Sequence, residues 1–173
     1  MERKYWIITG IVVLLVLLLV FLCFLPRIRL HAAMRPYTDA VSGALPESLR
    51  LTICYIDPLI LTRKPMLPEE LLRDSTARII TVEAEELEKH RTLLQALTPA
   101  ELTPVKQKGF LNVRLYYIFE TDAGKLLDVA FNGIHDCPFV NGIEVEDNDL
   151  FYELIDPFLT DEDRGILYKQ FQP

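Results

Sequence analysis

Charge is missing altogether from one part of this chain. The residues from Tyr5 to Leu25, YWIITGIVVLLVLLLVFLCFL, include no Asp, Glu, Lys, Arg or His. Cysteine is scarce, with residues only at 23, 54 and 137 and no CxxC spacing, which excludes a disulfide framework and a zinc ribbon. Pairing of Cys54 with Cys137 stays open. No Asn-x-Ser/Thr acceptor occurs, which fits a bacterial membrane protein better than a secreted eukaryotic surface protein. P-loop, GxGxxG, GxSxG and HExxH patterns are absent too, so no motif proposes an enzyme and no cofactor is implied.

The uncharged stretch is long enough, at about 1.5 Å per helical residue, to cross the roughly 30 Å hydrocarbon core of a bilayer. Only a helix satisfies its backbone there. The run exceeds the apolar region of a cleaved signal, and the nearest small-residue site, around His31-Ala32-Ala33, lies beyond Pro26, Arg27 and Arg29. Residues 5–25 are therefore read as a retained signal-anchor, with Tyr5 and Trp6 at one interface, Leu14 and Leu18 in the middle, and Phe24 and Leu25 at the other edge. Leu22 ahead of Cys23 argues against a lipoprotein cysteine. Arg3 and Lys4 before the span nearly balance Arg27, Arg29 and Arg35 after it. The usual signal-anchor arrangement then places the N-terminus in the cytoplasm and the rest outside. Around Gly10 there is no small-xxx-small pattern to support helix pairing.

The chain divides into four segments: a short tail at 1–4, the span at 5–25, a juxtamembrane connector at 26–47 and one α+β domain at 48–173. Three prolines and Gly43 break up the connector, allowing at most a helical turn around Tyr37 to Ser42. From Pro36 onward, 13 Lys and Arg face 24 Asp and Glu, a net charge of −11, whereas residues 1–35 carry +4. So acidic a domain disfavours nucleic acid or anionic lipid as its partner. The basic flank suits headgroups.

Period-two alternation predicts strands at 49–56 and 77–82, and an antiparallel hairpin around Thr121-Asp122-Ala123-Gly124. FNGIH at 131–135 and VNGIE at 140–144 supply two further tight turns. Leu67-Pro68-Glu69-Glu70 reads as a short helix, and Glu83 to Leu97 as a longer one with Leu87, Leu94 and Leu97 on one face. Thr98-Pro99-Ala100-Glu101 adds a capped turn. Asp147-Asn148-Asp149 precedes a helix of i, i+4 spacing ended by Pro157, and Thr160 to Asp163 opens a last helix carrying Ile166, Leu167 and Phe171. Together these predict an antiparallel sheet of about five or six strands with helices on one face.

Candidate chemistry is thin. His135-Asp136-Cys137 brings imidazole, carboxylate and thiol together in sequence, but a nucleophile and its base usually come from separate elements, so a polar loop explains the same letters. Glu144, Glu146, Asp147, Asn148, Asp149 and Glu153 lack the EF-hand spacing and suit a helix N-terminus. His90 reads as a boundary residue, and Tyr116 as an exposed aromatic on the polar face of the hairpin. The composite expectation is a single-pass membrane protein with a non-catalytic extracytoplasmic interaction or sensing domain, with the bilayer as its partner and another protein as a candidate second one. A tethered thiol- or metal-assisted enzyme using Cys137 and His135, and an accessory subunit docking through its anchor, are the alternatives.

Overall fold

The computed structural model describes residues 2–57, 60, 64–105, 112–132 and 137–171; for 2–9, 20, 23 and 168–171 it describes the backbone alone. The chain opens with a helix α1, Glu2–Ser42. Then come β1 (Arg50–Tyr55), α2 (Pro68–Leu71), β2 (Arg78–Glu83), α3 (Ala84–Lys89), α4 (Arg91–Ala96), β3 (Val113–Thr121) and β4 (Gly124–Asn132). The order closes with β5 (Phe139–Val140), β6 (Ile143–Glu144), α5 (Leu150–Glu153) and α6 (Asp161–Phe171). Short 3-10 turns occupy Pro99–Glu101 and Asp156–Phe158.

The six strands form one sheet in the order β2-β1-β3-β4-β5-β6, every neighbour antiparallel. The expected α+β class and strand number hold. Asn141 and Gly142 join β5 to β6 with φ of 47° and 76°, the positive values for which Asn-Gly is suited. Phe131 and Asn132 of FNGIH end β4, and residues 133–135 of the expected turn lie outside the described residues. Beyond β6 the ladder continues through Pro104, which bridges Val145, so the segment at 103–105 shields that edge.

The connector expected at 26–47 is helical up to Ser42. Leu30, Met34, Tyr37 and Val41 recur at four, three and four residues and are all buried, so one helical stripe belongs to the domain core. Burying it outweighs the cost of two prolines. Pro26 leaves its mark as a 44° bend between Leu19 and Phe24, close to the carbonyl of Leu22 that its ring displaces. Pro36 lies on the exposed side, where the lost N–H leaves no buried gap.

Helices do not confine themselves to one face. The larger core gathers Leu51, Ile53 and Tyr55 of β1, Leu115, Tyr117 and Phe119 of β3, and Leu127, Val129 and Phe131 of β4 beneath α1, α3, α4, α5 and α6. A second, smaller apolar layer on the opposite face joins Cys54, Tyr116, Ala130 and Phe139 to Met66 and Leu71 at α2. A bulge at Arg114 shifts the register between Val113 and Leu115 and turns Val113 into that second layer. The helix expected at 83–97 is broken at His90, whose half-buried ring meets Phe158 edge-on at 5.1 Å.

Candidate functional site

The junction between α1 and the domain combines buried side chains with side-chain hydrogen bonds to helix carbonyls. Tyr37 sits fully buried, its ring 5.2 Å from Phe119, and its hydroxyl donates to the Leu94 carbonyl at 2.8 Å. Burial pushes that phenol well above its usual range, so it stays a neutral donor. Asn141 Nδ2 donates to the Ala33 carbonyl at 2.6 Å. Near the end of α1, Gln95 Nε2 donates to the Val41 carbonyl at 2.9 Å and Arg91 to the Gly43 carbonyl. Terminal helix carbonyls lack intrahelical partners, and α4 supplies one donor to Val41 and a second to Gly43 just beyond the helix. Val41 and Gln95 also line a surface hollow of about 220 Å³, and Leu45, Glu85, Glu88 and Arg91 an open groove of about 500 Å³.

A second polar knot ties α6 to the sheet. Asp163 is buried and occupies the third helical position after Thr160. Its Oδ2 accepts from the Thr160 hydroxyl at 2.6 Å and amide at 3.0 Å, while the Asp163 amide donates back to Thr160 Oγ1 at 3.2 Å. Oδ1 takes the Tyr55 hydroxyl and, at 3.1 Å, Arg78 Nη1. Burial works to raise this carboxyl, but the donors outweigh it and hold it at about 2. The capping pattern at 160–163 forms as expected. At Thr98 and Asp149 the expected side-chain caps are not made, although Asn148 Oδ1 accepts from the Leu150 amide at 3.0 Å.

The residues singled out for chemistry are scattered. His135 lies outside the described residues. Cys137 is half-buried ahead of β5. Cys54 is fully buried, donates to the Leu71 carbonyl at 3.6 Å, and is pushed up to about 11 by burial with Asp74 nearby. The two make no disulfide. Strands β3 and β4 stand between β1 and β5, and several steps of about 4.8 Å exceed the roughly 7 Å that a bridge tolerates. Among the described residues no three His, Cys, Asp or Glu side chains converge as metal ligands.

Tyr116 corrects an expectation. It is buried, not exposed, because the layer around α2 covers that half of the second face. Its hydroxyl donates to Asp128 Oδ2 at 3.0 Å, and burial raises it far beyond the usual phenol value. Of the anchor residues, Leu14, Leu18 and Phe24 are exposed and Leu25 is partly covered; the side chains of Tyr5 and Trp6 lie outside the described set. Among the described residues no single helix is long and apolar enough to cross a membrane; Gly10–Leu19 and Phe24–Ser42, taken together across the bend, have the length and composition.

Sequence reasoning missed Tyr37, Asn141 and Met34 as junction residues. The 30/34/37/41 spacing is present in the sequence, but Pro26 ahead of it and Pro36 within it argue against a helix. Compared with known proteins, the chain matches no family model, no curated protein and no solved structure.

Proposed function

We propose that this is a single-pass membrane protein whose acidic α+β domain is a non-catalytic interaction or sensing module, held close against the bilayer on the extracytoplasmic side. One observation carries the reading: α1 changes from a helix with no protein around it to a helix built into the domain core. From Ile11 to Leu19 and at Phe21, Leu22 and Phe24, its large apolar side chains are each 52–67% exposed. At about 1.5 to 3 kcal/mol for each side chain left in water, that surface would cost on the order of 20 kcal/mol. That is comparable to the whole stability of an ordinary domain, about 5 to 15 kcal/mol. A bilayer removes the cost.

From Leu30 onward the same helix belongs to the domain. Only about five helical residues, roughly 7 Å, separate the end of the anchor at Leu25 from the core, so the domain has no slack with which to leave the surface. A module so mounted presents a fixed face to a partner on the membrane.

The test is extraction of the full chain from membranes by alkaline carbonate, beside a Leu14→Arg/Leu18→Arg variant, each arginine costing about 2.5 to 3.5 kcal/mol at mid-span. The unmodified chain remains with the membrane and the variant is released. Release of both would overturn the anchor. Labelling of Cys137 in intact cells by an impermeant thiol reagent supports the extracytoplasmic side; labelling only after permeabilisation reverses it.

A further inference from the structure

We propose that Arg27 and Arg29 bind the phosphates of anionic phospholipids in the leaflet that the domain faces, one on each side of the helix, and this rests on the membrane reading above. Both side chains are exposed, and among the described residues neither pairs with a carboxylate. They flank Ile28, which is 51% exposed and extends the apolar surface of the span by one residue. At 3.6 residues per turn Arg27 and Arg29 point about 200° apart, so they address two lipids and do not chelate one.

What distinguishes them from ordinary flanking charges is that the domain sets their depth. Leu30, fully buried in the core, follows Arg29 directly, and Met34 and Tyr37 hold the next two turns. The arginines cannot slide away from the headgroup layer unless the helix leaves its core. Arg35 makes a natural contrast: it stands eight residues beyond Arg27, about 12 Å along the axis, more than the screening length of about 8 Å. It also pairs with Asp39 at 3.5 Å. The segment from Pro36 onward carries −11, and those of its carboxylates that lie farther than that length from the two arginines are screened from the headgroups.

The experiment uses the full chain in vesicles of phosphatidylcholine with and without phosphatidylglycerol, and reads the share of spin-labelled lipid of each headgroup immobilised at the protein. The unmodified chain and Arg35→Gln hold phosphatidylglycerol about fivefold or more over phosphatidylcholine, and Arg27→Gln/Arg29→Gln shows no preference. Equal immobilisation of both lipids by the unmodified chain overturns the proposal, as does an equal loss in Arg35→Gln or a preference that survives the double variant. Loss of the preference to inorganic phosphate at constant ionic strength overturns it in favour of a soluble anion site. Flotation with phosphatidylcholine vesicles alone tests the anchor separately: a chain that does not float refutes the membrane reading itself, whereas one that floats without headgroup preference refutes only the arginines' role.

Discussion

Asn141 donates its side-chain amide to the carbonyl of Ala33 across 108 residues of sequence, at 2.6 Å. The same side chain accepts from the Asp128 amide at 2.8 Å, while its backbone N–H donates to the Asp128 carbonyl at 2.9 Å. One residue thus closes the β5-β6 turn, extends the β4 ladder and pins α1. Asn is the side chain suited to all three, since it offers donor and acceptor and tolerates the φ of 47° found there.

Asn141→Ala loses two side-chain hydrogen bonds and leaves at positive φ a residue without the polar side chain that lets Asn occupy that region, which predicts a loss of about 3 kcal/mol. Asn141→Gly removes the same bonds without the backbone cost and should lose about 2 kcal/mol. Urea unfolding in nanodiscs measures the difference, and hydrogen exchange at the Asp128 amide should quicken in both variants.

Met34→Ala opens a cavity between α1 and the sheet and should destabilise the domain by about 2 to 5 kcal/mol. Leu18→Ala, which removes a side chain with no domain contact, should leave domain unfolding unchanged. If both variants unfold alike, the core does not extend into α1. Hydrogen exchange along residues 34–42 reports the same distinction locally.

Native protein treated with iodoacetamide near neutral pH should be modified at Cys137 and spared at Cys54, because the latter is buried and its thiol stands at about 11. Peptide mass mapping reads the two sites apart. Denaturant should abolish the difference.

Acid should loosen α6 first. The Asp163 carboxyl is held at about 2 in the folded protein against an ordinary 3.8, so its ionised form is stabilised by folding. A depressed folded value contributes stability that is present above about pH 4 and is lost as pH falls toward 2. For this buried group the contribution is about 2 kcal/mol. Asp163→Asn removes the charge facing Arg78 and puts an amide opposite either the Thr160 donors or those of Tyr55 and Arg78. It should cost about 2 to 3 kcal/mol at neutral pH and flatten the acid limb of the stability curve.

Elements whose signal is local were legible. The hairpin of β3 and β4, the Asn-Gly turn at 141, the short helix after Leu67 and the cap at Thr160 each arise from residues within a few positions of one another. The candidate site was not legible in the same way. Tyr55 and Asp163 are 108 positions apart, as are Ala33 and Asn141, and nothing in either neighbourhood names the other. The motif that did stand out, His135 with Cys137, drew attention because its residues are adjacent in sequence. The sheet places Cys54 on the far side of two strands from Cys137.

By itself, the sequence determined the uncharged apolar stretch, the antiparallel class of the sheet and the acidic character of the chain beyond Pro36, because composition and period act over a few neighbouring residues. Only the tertiary structure decided that α1 runs on through Pro26 and Pro36 to Ser42. A proline's cost is a local quantity, visible in the letters. The burial of Leu30, Met34, Tyr37 and Val41 that outweighs it exists only once the sheet is there to receive them. The same asymmetry hid Tyr116, which alternation assigns to water and which the layer around Leu71 covers.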